Sequence, residues 1–373
     1  MLASKSFYSL ISIMQIKKAI LTGGGRATRL RPVTSTLNKH LIPLANKPMI
    51  FHAIEKVVSA GVEEIFINTN PGETDLQKYI GDGGHWGVKI TFFEQEGGPQ
   101  GIAHVVKQAQ KFIGNDPFLF YLSDNVILGS LQGFIDEFNS GNYDCMLALS
   151  KVEDPERFGV PVLDAAGKLV DVIEKPKNPP NNFAVTGIYL YGPGVFFEAF
   201  DHIAKSARGE YEISSIHSDF LKNNLKVGYK EITGWWKDTG KPEDLILASR
   251  LLLDEVKTED FKVEGAVELG ARIEGAVRIG VGTTVNKNVK IFGPALIGEN
   301  CTLEDCVIYA NTTVATGTTV KKAEIKDSII LSKCYIDSPV RLHNSIIGSG
   351  VTIMDAKSEE QRMILGENTL IEL

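Results

Sequence analysis

From residue 18 to residue 256, short apolar runs alternate with stretches in which apolar positions recur every three or four residues. The runs at residues 18–22, 64–68, 89–93, 118–122 and 145–150 predict strands. The longer stretches at 48–60, 102–112, 130–140 and 242–256 predict helices. Pro48 suits a first helical turn and Gly61 falls where a helix would stop. Strands alternating with helices predict an α/β fold built of βαβ units around a mixed, mostly parallel sheet.

Beyond residue 257 the period changes. Apolar residues recur every six positions at Phe261, Val267, Ile273, Ile279, Val285, Ile291, Ile297 and Leu303, and the pattern blurs before returning at Val314 and Val320. Helices repeat at 3.6 residues and strands at 2, so neither alone sustains a period of six. A hexapeptide solenoid does, with each step forming one side of a triangular coil and its apolar residue pointing inward. Gly280, Gly298 and Gly348 are expected to supply tight corners. The expectation for residues 258–373 is a left-handed parallel β-helix; short strands of an ordinary sandwich are the alternative.

Composition supports two domains. The chain has 373 residues, 43% apolar and 23% charged, which excludes disorder, collagen and coiled coil. Of its 31 aromatic residues, 27 precede residue 258, so the two halves are built differently. A formal charge of −7 offers no electrostatic footprint for nucleic acid. Cys145, Cys301, Cys306 and Cys334 form no CxxC pair and are expected to be reduced core thiols. The charge-free stretch of residues 6–16 has 11 residues, short of the roughly 20 a membrane helix needs, and no small-residue cleavage site follows it. Met14 is an equally good start, so residues 1–13 are expected to be an extension without function. No membrane partner and a cytoplasmic location are expected.

Strand 18–22 runs into Gly23-Gly24-Gly25-Arg26-Ala27-Thr28-Arg29-Leu30-Arg31-Pro32. Consecutive glycines after a strand let backbone amides approach phosphate. Neither the GxGxxG nor the GxxxxGK[ST] spacing is present. What remains is a glycine turn followed by Arg29 and Lys39, two cations suited to a triphosphate; a solvated surface turn is the plainer reading.

Read with Lys39-His40-Leu41-Ile42-Pro43 and Lys47-Pro48-Met49, this loop resembles the signature of sugar-1-phosphate nucleotidylyltransferases. The chain most resembles their long-form glucose-1-phosphate thymidylyltransferase branch, which carries a C-terminal left-handed β-helix. The resemblance covers all but residues 1–13 and implies a Rossmann-like nucleotidyltransferase domain at 14–257, followed by the β-helix at 258–373. Ala27 stands where the family has its last loop glycine; because Ala disfavours positive φ, a right-handed or altered turn is expected there.

The resemblance also implies site residues. Gly24, Gly25 and Thr28 would bind the nucleotide, and Arg29 and Lys39 would hold the departing phosphates. Gln95 and Gly101 belong to the segment Gln95-Glu96-Gly97-Gly98-Pro99-Gln100-Gly101, which resembles the base-recognition loop. A glutamine amide offers both a donor and an acceptor to a thymine or uracil edge. Leu122-Ser123-Asp124-Asn125 and Trp235-Trp236-Lys237-Asp238-Thr239-Gly240 resemble segments whose Asp124 and Asp238 would hold Mg2+. Ser123 replaces a glycine. Gly159, Glu174, Lys175 and Glu212 match the sugar side, with Lys175 on the attacking phosphate. Trp235 is expected to be core.

The activity so implied is nucleotidyl transfer from a nucleoside triphosphate, dTTP or UTP favoured, to a sugar 1-phosphate, glucose 1-phosphate favoured. Alternatives are an adenylyl- or guanylyltransferase, a bifunctional enzyme with acetyltransferase activity in the β-helix, and a non-catalytic nucleotide sensor. His343 is the one histidine beyond residue 257 and is read as structural or solvated. The β-helix is expected to assemble homo-oligomers and to do no chemistry.

Overall fold

The computed structural model describes residues 15–232, 234–354 and 360–372; the expectation for residues 1–13 lies outside them. Seven strands form the central sheet: β1 (Lys18–Thr22), β2 (Glu64–Thr69), β3 (Lys89–Glu94), β4 (Phe118–Tyr121), β5 (Cys145–Lys151), β6 (Phe183–Tyr191) and β7 (Val227–Glu231). Their order is β7-β5-β6-β4-β1-β2-β3. β1 pairs parallel with β2 and β4, and β6 runs antiparallel between β4 and β5. The five strands expected from the apolar runs all start where the pattern placed them.

Helices α1 (Met49–Ser59), α2 (Ile213–Lys222) and α3 (Pro242–Asp254) pack on or beside the sheet. The helix expected at 102–112 is divided at Ala109 into Ile102–Gln108 and Gln110–Ile113. The sheet separates two apolar cores. One contains Leu21, Ile54, Ile67 and Leu119, and the other contains Ile20, Phe66, Phe120 and Tyr191. Alternate residues of a strand point to opposite faces, so β1 feeds both. All four cysteines are free and buried.

The second region is a left-handed parallel β-helix whose three faces hold 7, 6 and 6 parallel strands among the described residues. Ile279, Val285, Ile291, Ile297 and Leu303 point inward and are fully buried. Phe261 precedes the first coil, Ile273 is half-buried, and Val267 is 36% exposed, because no coil lies above to cover them. Past Leu303 the ladder continues through Ile308, Val314, Val320, Ile325, Ile330 and Ile336. The blurring has a simple cause: some sides have five residues instead of six. Val285, Leu303, Val320, Ile336, Ile353 and Ile371 still pair in strict succession.

Gly280, Gly298 and Gly348 lie at one corner, where they are required by close approach. A Cβ on Gly298 would sit 2.6 Å from the Thr316 amide nitrogen, and one on Gly348 would sit 2.5 Å from the Gly366 carbonyl carbon. Two residues further on in the same corner, Gly282, Asn300, Gly317, Lys333, Gly350 and Asn368 form a column at positive φ. Among the described residues, no helix is long and apolar enough to cross a membrane.

Candidate active site

The glycine loop leaves the carboxyl end of β1 next to that of β2. A Cβ on Gly23 would lie 2.7 Å from the Asn68 carbonyl oxygen, so only glycine lets the two strand ends converge. The Gly23 amide donates to Asn68 Oδ1 at 3.1 Å and the Gly25 amide to Asn70 Oδ1 at 2.9 Å. These contacts fix the loop while the amides of Gly24, Arg26 and Thr28 have no internal acceptor among the described residues. The expected right-handed turn at Ala27 is not what forms: Ala27 is left-handed, with φ 42° and ψ 40°. Its carbonyl accepts from Thr34 Oγ1 at 2.8 Å and from the Leu30 amide at 3.0 Å, and these contacts hold the strained conformation.

Lys39 begins a short helical turn, Lys39–Leu41. Asn38 caps that turn, accepting from the His40 amide at 2.8 Å, and its Nδ2 donates to the Gly23 carbonyl at 2.9 Å. The cation-bearing turn is thereby tied to the glycine loop.

Asp124 follows β4. Lys39 Nζ donates to its Oδ2 at 2.6 Å and Asn125 Nδ2 donates to its Oδ1 at 2.9 Å. Ser123 is buried and bonds through its hydroxyl to the Thr22 carbonyl, joining the ends of β1 and β4. The short strand Asn125–Ile127 pairs antiparallel with Trp236–Asp238, setting Asp238 opposite Asn125. Thr239 donates to the Asp124 carbonyl from its amide (3.1 Å) and its hydroxyl (2.8 Å). Two carboxylates distant in sequence are thus brought together by one small ladder.

Their environments differ. Burial works against the Asp124 charge, but Lys39, His40 and the hydrogen bonds from Lys39 and Asn125 outweigh it and hold the carboxyl below the usual range. Burial and the neighbouring Asp124 charge push Asp238 upward, with Lys39 and Arg29 only partly compensating. Arg29 Nη2 and Asp238 Oδ2 both crowd Gly240, where a Cβ would meet them at 3.2 and 2.9 Å.

Both aspartates line a cavity of about 550 Å3 with Arg29, Gly159, Glu174 and Lys175. Trp236 forms part of its wall and donates from Nε1 to Asn125 Oδ1 at 2.9 Å, whereas Trp235 is half-buried against a different apolar cluster. Glu174 ends the strand Leu169–Glu174, and Lys175 Nζ lies 3.5 Å from its Oε1. Glu212 stands just before α2, with Oε2 2.8 Å from Arg208 Nη2. Gln95 lies at the end of β3 and Gly101 before Ile102–Gln108; neither lines this cavity, nor do Gly24, Gly25, Thr28, Lys39 and Glu212.

Two arginines escaped the reading of the sequence. Arg208 Nη2 bridges Glu174 Oε1 at 3.3 Å and Glu212 Oε2 at 2.8 Å. Arg157 lines the cavity with Nη2 3.8 Å from Asp238 Oδ2. The signal for Arg208 is its place four residues before Glu212 in a short polar loop; Arg157 offers none beyond preceding Phe158-Gly159.

Residues 18–255 match the nucleotidyl transferase family model. The chain belongs to the nucleotidyl transferase family. Residues 267–372 match the model described as the GMPPB C-terminal domain. Over 361 residues this transferase is 34% identical to the low-salt glycan biosynthesis nucleotidyltransferase Agl11 of Haloferax volcanii, covering 95% of this chain and 100% of the relative. It is 33% identical over 359 residues to a glucose-1-phosphate thymidylyltransferase of Streptomyces antibioticus, covering 95% and 99%. Among solved structures, a putative glucose-1-phosphate thymidylyltransferase from Bacillus anthracis in complex with a sucrose superposes with a TM-score of 0.59 at 36% identity, covering 63% of this chain and 94% of that one. A UDP-glucose pyrophosphorylase complexed with UDP-glucose shares the fold, with a TM-score of 0.58 at 24% identity over 65% of this chain and 100% of that one.

Proposed function

We propose that this chain transfers a nucleotidyl group from a nucleoside triphosphate to a sugar 1-phosphate, with dTTP or UTP and glucose 1-phosphate as the favoured pair. The observation that carries the reading is one cavity in which Asp124, Asp238 and Arg29 face Glu174 and Lys175, in a chain whose curated relatives are named for this activity. A sugar-phosphate oxygen attacks the α-phosphorus, the bond to the bridging oxygen of the β-phosphate breaks, and pyrophosphate leaves. The nucleophile is already ionised, so positioning and charge neutralisation are the protein's main tasks.

Arg29, Lys39 and the amides of the glycine loop, Gly24 and Thr28 among them, hold the departing phosphates; Gly25 supports the loop through Asn70. Lys175 orients the attacking phosphate, and Glu174, Glu212 and the Gly159 backbone bind sugar hydroxyls, with Arg208 fixing the two glutamates. Gln95 reads the pyrimidine edge, and Gly101 turns the chain behind it.

Asp124 and Asp238 fit Mg2+. Two adjacent carboxylates, one of them raised by burial and by the other's charge, form a hard-oxygen donor pair that a divalent cation neutralises. A bound Mg2+ would stabilise the charge that builds on the phosphate oxygens. We further infer that residues 14–257 form the transferase unit and that residues 258–373 form a β-helix unit through which the protein forms a homo-oligomer. A cytoplasmic location suits its four free thiols.

The test is pyrophosphate release from a panel of triphosphates against glucose, galactose and N-acetylglucosamine 1-phosphates. Mg2+-dependent release with dTTP or UTP at least about tenfold faster than with ATP or GTP is expected, since a mispaired buried amide costs ~1–3 kcal/mol. A purine triphosphate used equally well would overturn the role of Gln95, and no release with any pair would overturn the activity.

A further inference from the structure

The face of the β-helix turned toward the transferase domain is apolar on its outside. In the strand order of that face, Leu296, Thr313, Ile329, Ile346 and Ile364 pair successively across five coils. Their neighbours Ile297, Val314, Ile330 and Ile347 fill the helix interior, so this column points outward. Ile329, Leu331 and Ile346 are nevertheless buried, in a cluster with Leu30, Val33, Ile42, Leu44, Val126 and Leu245.

Those partners are the residues beside the chemistry. Leu30 follows Arg29, Ile42 is one turn past Lys39, and Val126 is two residues past Asp124. Pro32, at the end of the glycine loop, meets Gly366 so closely that a Cβ there would lie 3.0 Å from its carbonyl oxygen.

Asn46 is a polar element of this seam, as is the Arg362–Glu243 ion pair. The strands Pro43–Leu44 and Lys47–Pro48 form a hairpin turned by Ala45 and Asn46, both left-handed at φ 48° and 60°. Asn46 Nδ2 donates to the Leu296 carbonyl at 3.2 Å and to the Val314 carbonyl at 3.1 Å, on successive coils. The Ala45 amide donates to Ser249 Oγ of α3 at 3.1 Å, and the Met49 amide closes on the Ile42 carbonyl at 3.0 Å. The hairpin is thus fixed from both sides, and the Lys39 turn leads straight into it.

We propose that the β-helix braces the phosphate-holding segments within its own chain, with Asn46 as the positioning residue that sets Lys39 and the glycine loop. The inference rests on the functional reading above for what these segments hold. It gives the β-helix a part in turnover that does not depend on assembly.

The experiment uses full-length wild type and Asn46→Gly. Glycine keeps the left-handed turn and removes the side chain that makes both hydrogen bonds to the coils. Hydrogen exchange of peptides spanning 28–48 is read beside kcat and the two KM values, well below the unfolding temperature. Faster exchange in 28–48, about tenfold lower kcat and a raised triphosphate KM are expected, with the sugar-phosphate KM within about twofold. A purely structural role would move the unfolding temperature and leave the two KM values in step. Exchange unchanged in 28–48, or equal loss for both substrates, would overturn the brace. If wild type releases no pyrophosphate, the functional reading falls, and the exchange data still decide whether Asn46 braces the loop.

Discussion

Asp124 carries two loads, since its side chain holds Lys39 and its carbonyl anchors Thr239. Asp124→Asn keeps the carbonyl and the shape but removes the charge, so the fold is expected to survive. Mg2+-dependent turnover is expected to fall by about a hundredfold or more, as for loss of an electrostatic contact made to the transition state; a Mg2+ titration of pyrophosphate release checks it. Ala27 points the other way. A left-handed Ala costs about 1 kcal/mol relative to glycine, so Ala27→Gly is expected to raise stability by about that amount, read as a shifted urea midpoint. At this scale the sequence was legible where a charged residue followed a strand, as with Asp124. It was silent on Arg157 and gave Arg208 only its spacing from Glu212, because an arginine in a polar loop looks solvated until the fold brings carboxylates to it. The turn at Ala27 misled because intrinsic φ preference was overridden by the contacts to Thr34 and Leu30.

Among the elements, those with one clean apolar period were readable, and the exceptions have specific causes. β6 is the longest strand of the sheet, yet Thr186-Gly187 interrupts its apolar run and its register against β5 shifts between Val185 and Tyr189. That irregularity sets Thr186 and Gly187 into the cavity wall. α2 was hidden by its serines, although its inner face buries Ile213, Ile216, His217 and Phe220. Burial lowers the His217 pKa from 6.5 to about 3 while its Nε2 stays 2.9 Å from the Tyr191 hydroxyl. Above pH 6.5 the ring is neutral whether the chain is folded or not. Below it, the unfolded chain takes up a proton that the fold refuses, and stability falls by about 1.4 kcal/mol per pH unit from this group. His217→Gln is therefore expected to flatten the decline in urea midpoint between pH 6.5 and 4; an unchanged slope would clear His217. In the β-helix, Gly298→Ala drives a methyl into the Thr316 backbone and is expected to cost a few kcal/mol, since a rigid backbone cannot yield. Calorimetry on the full chain reads that loss.

At the scale of the whole molecule, the seam between domains is the feature the period of six concealed. The inward ladder was visible, while the outward column was not, since Ile329-Ile330-Leu331 and Ile346-Ile347 read as excess apolar residues on one strand. Apolar doublets returning at the coil repeat are the signal that a solenoid face is covered. Ile346→Asp buries a charge against Ile42 and Leu44, and several kcal/mol of destabilisation is expected from a buried, unpaired carboxylate. Limited proteolysis near residue 257 is expected to quicken with it, and an unchanged digestion rate would show that the seam contributes little.

From Val285 to Ile353 the paired columns stay aligned although successive coils take 18, 17, 16 and 17 residues. All of that variation is discharged at the corners, where one residue more or fewer changes the bend without sliding a strand. Such a scaffold tolerates insertion and deletion at its vertices while its sides keep their address. Length could therefore drift in descent, or a recognition loop be grafted at a vertex, without disturbing the face that meets the catalytic half.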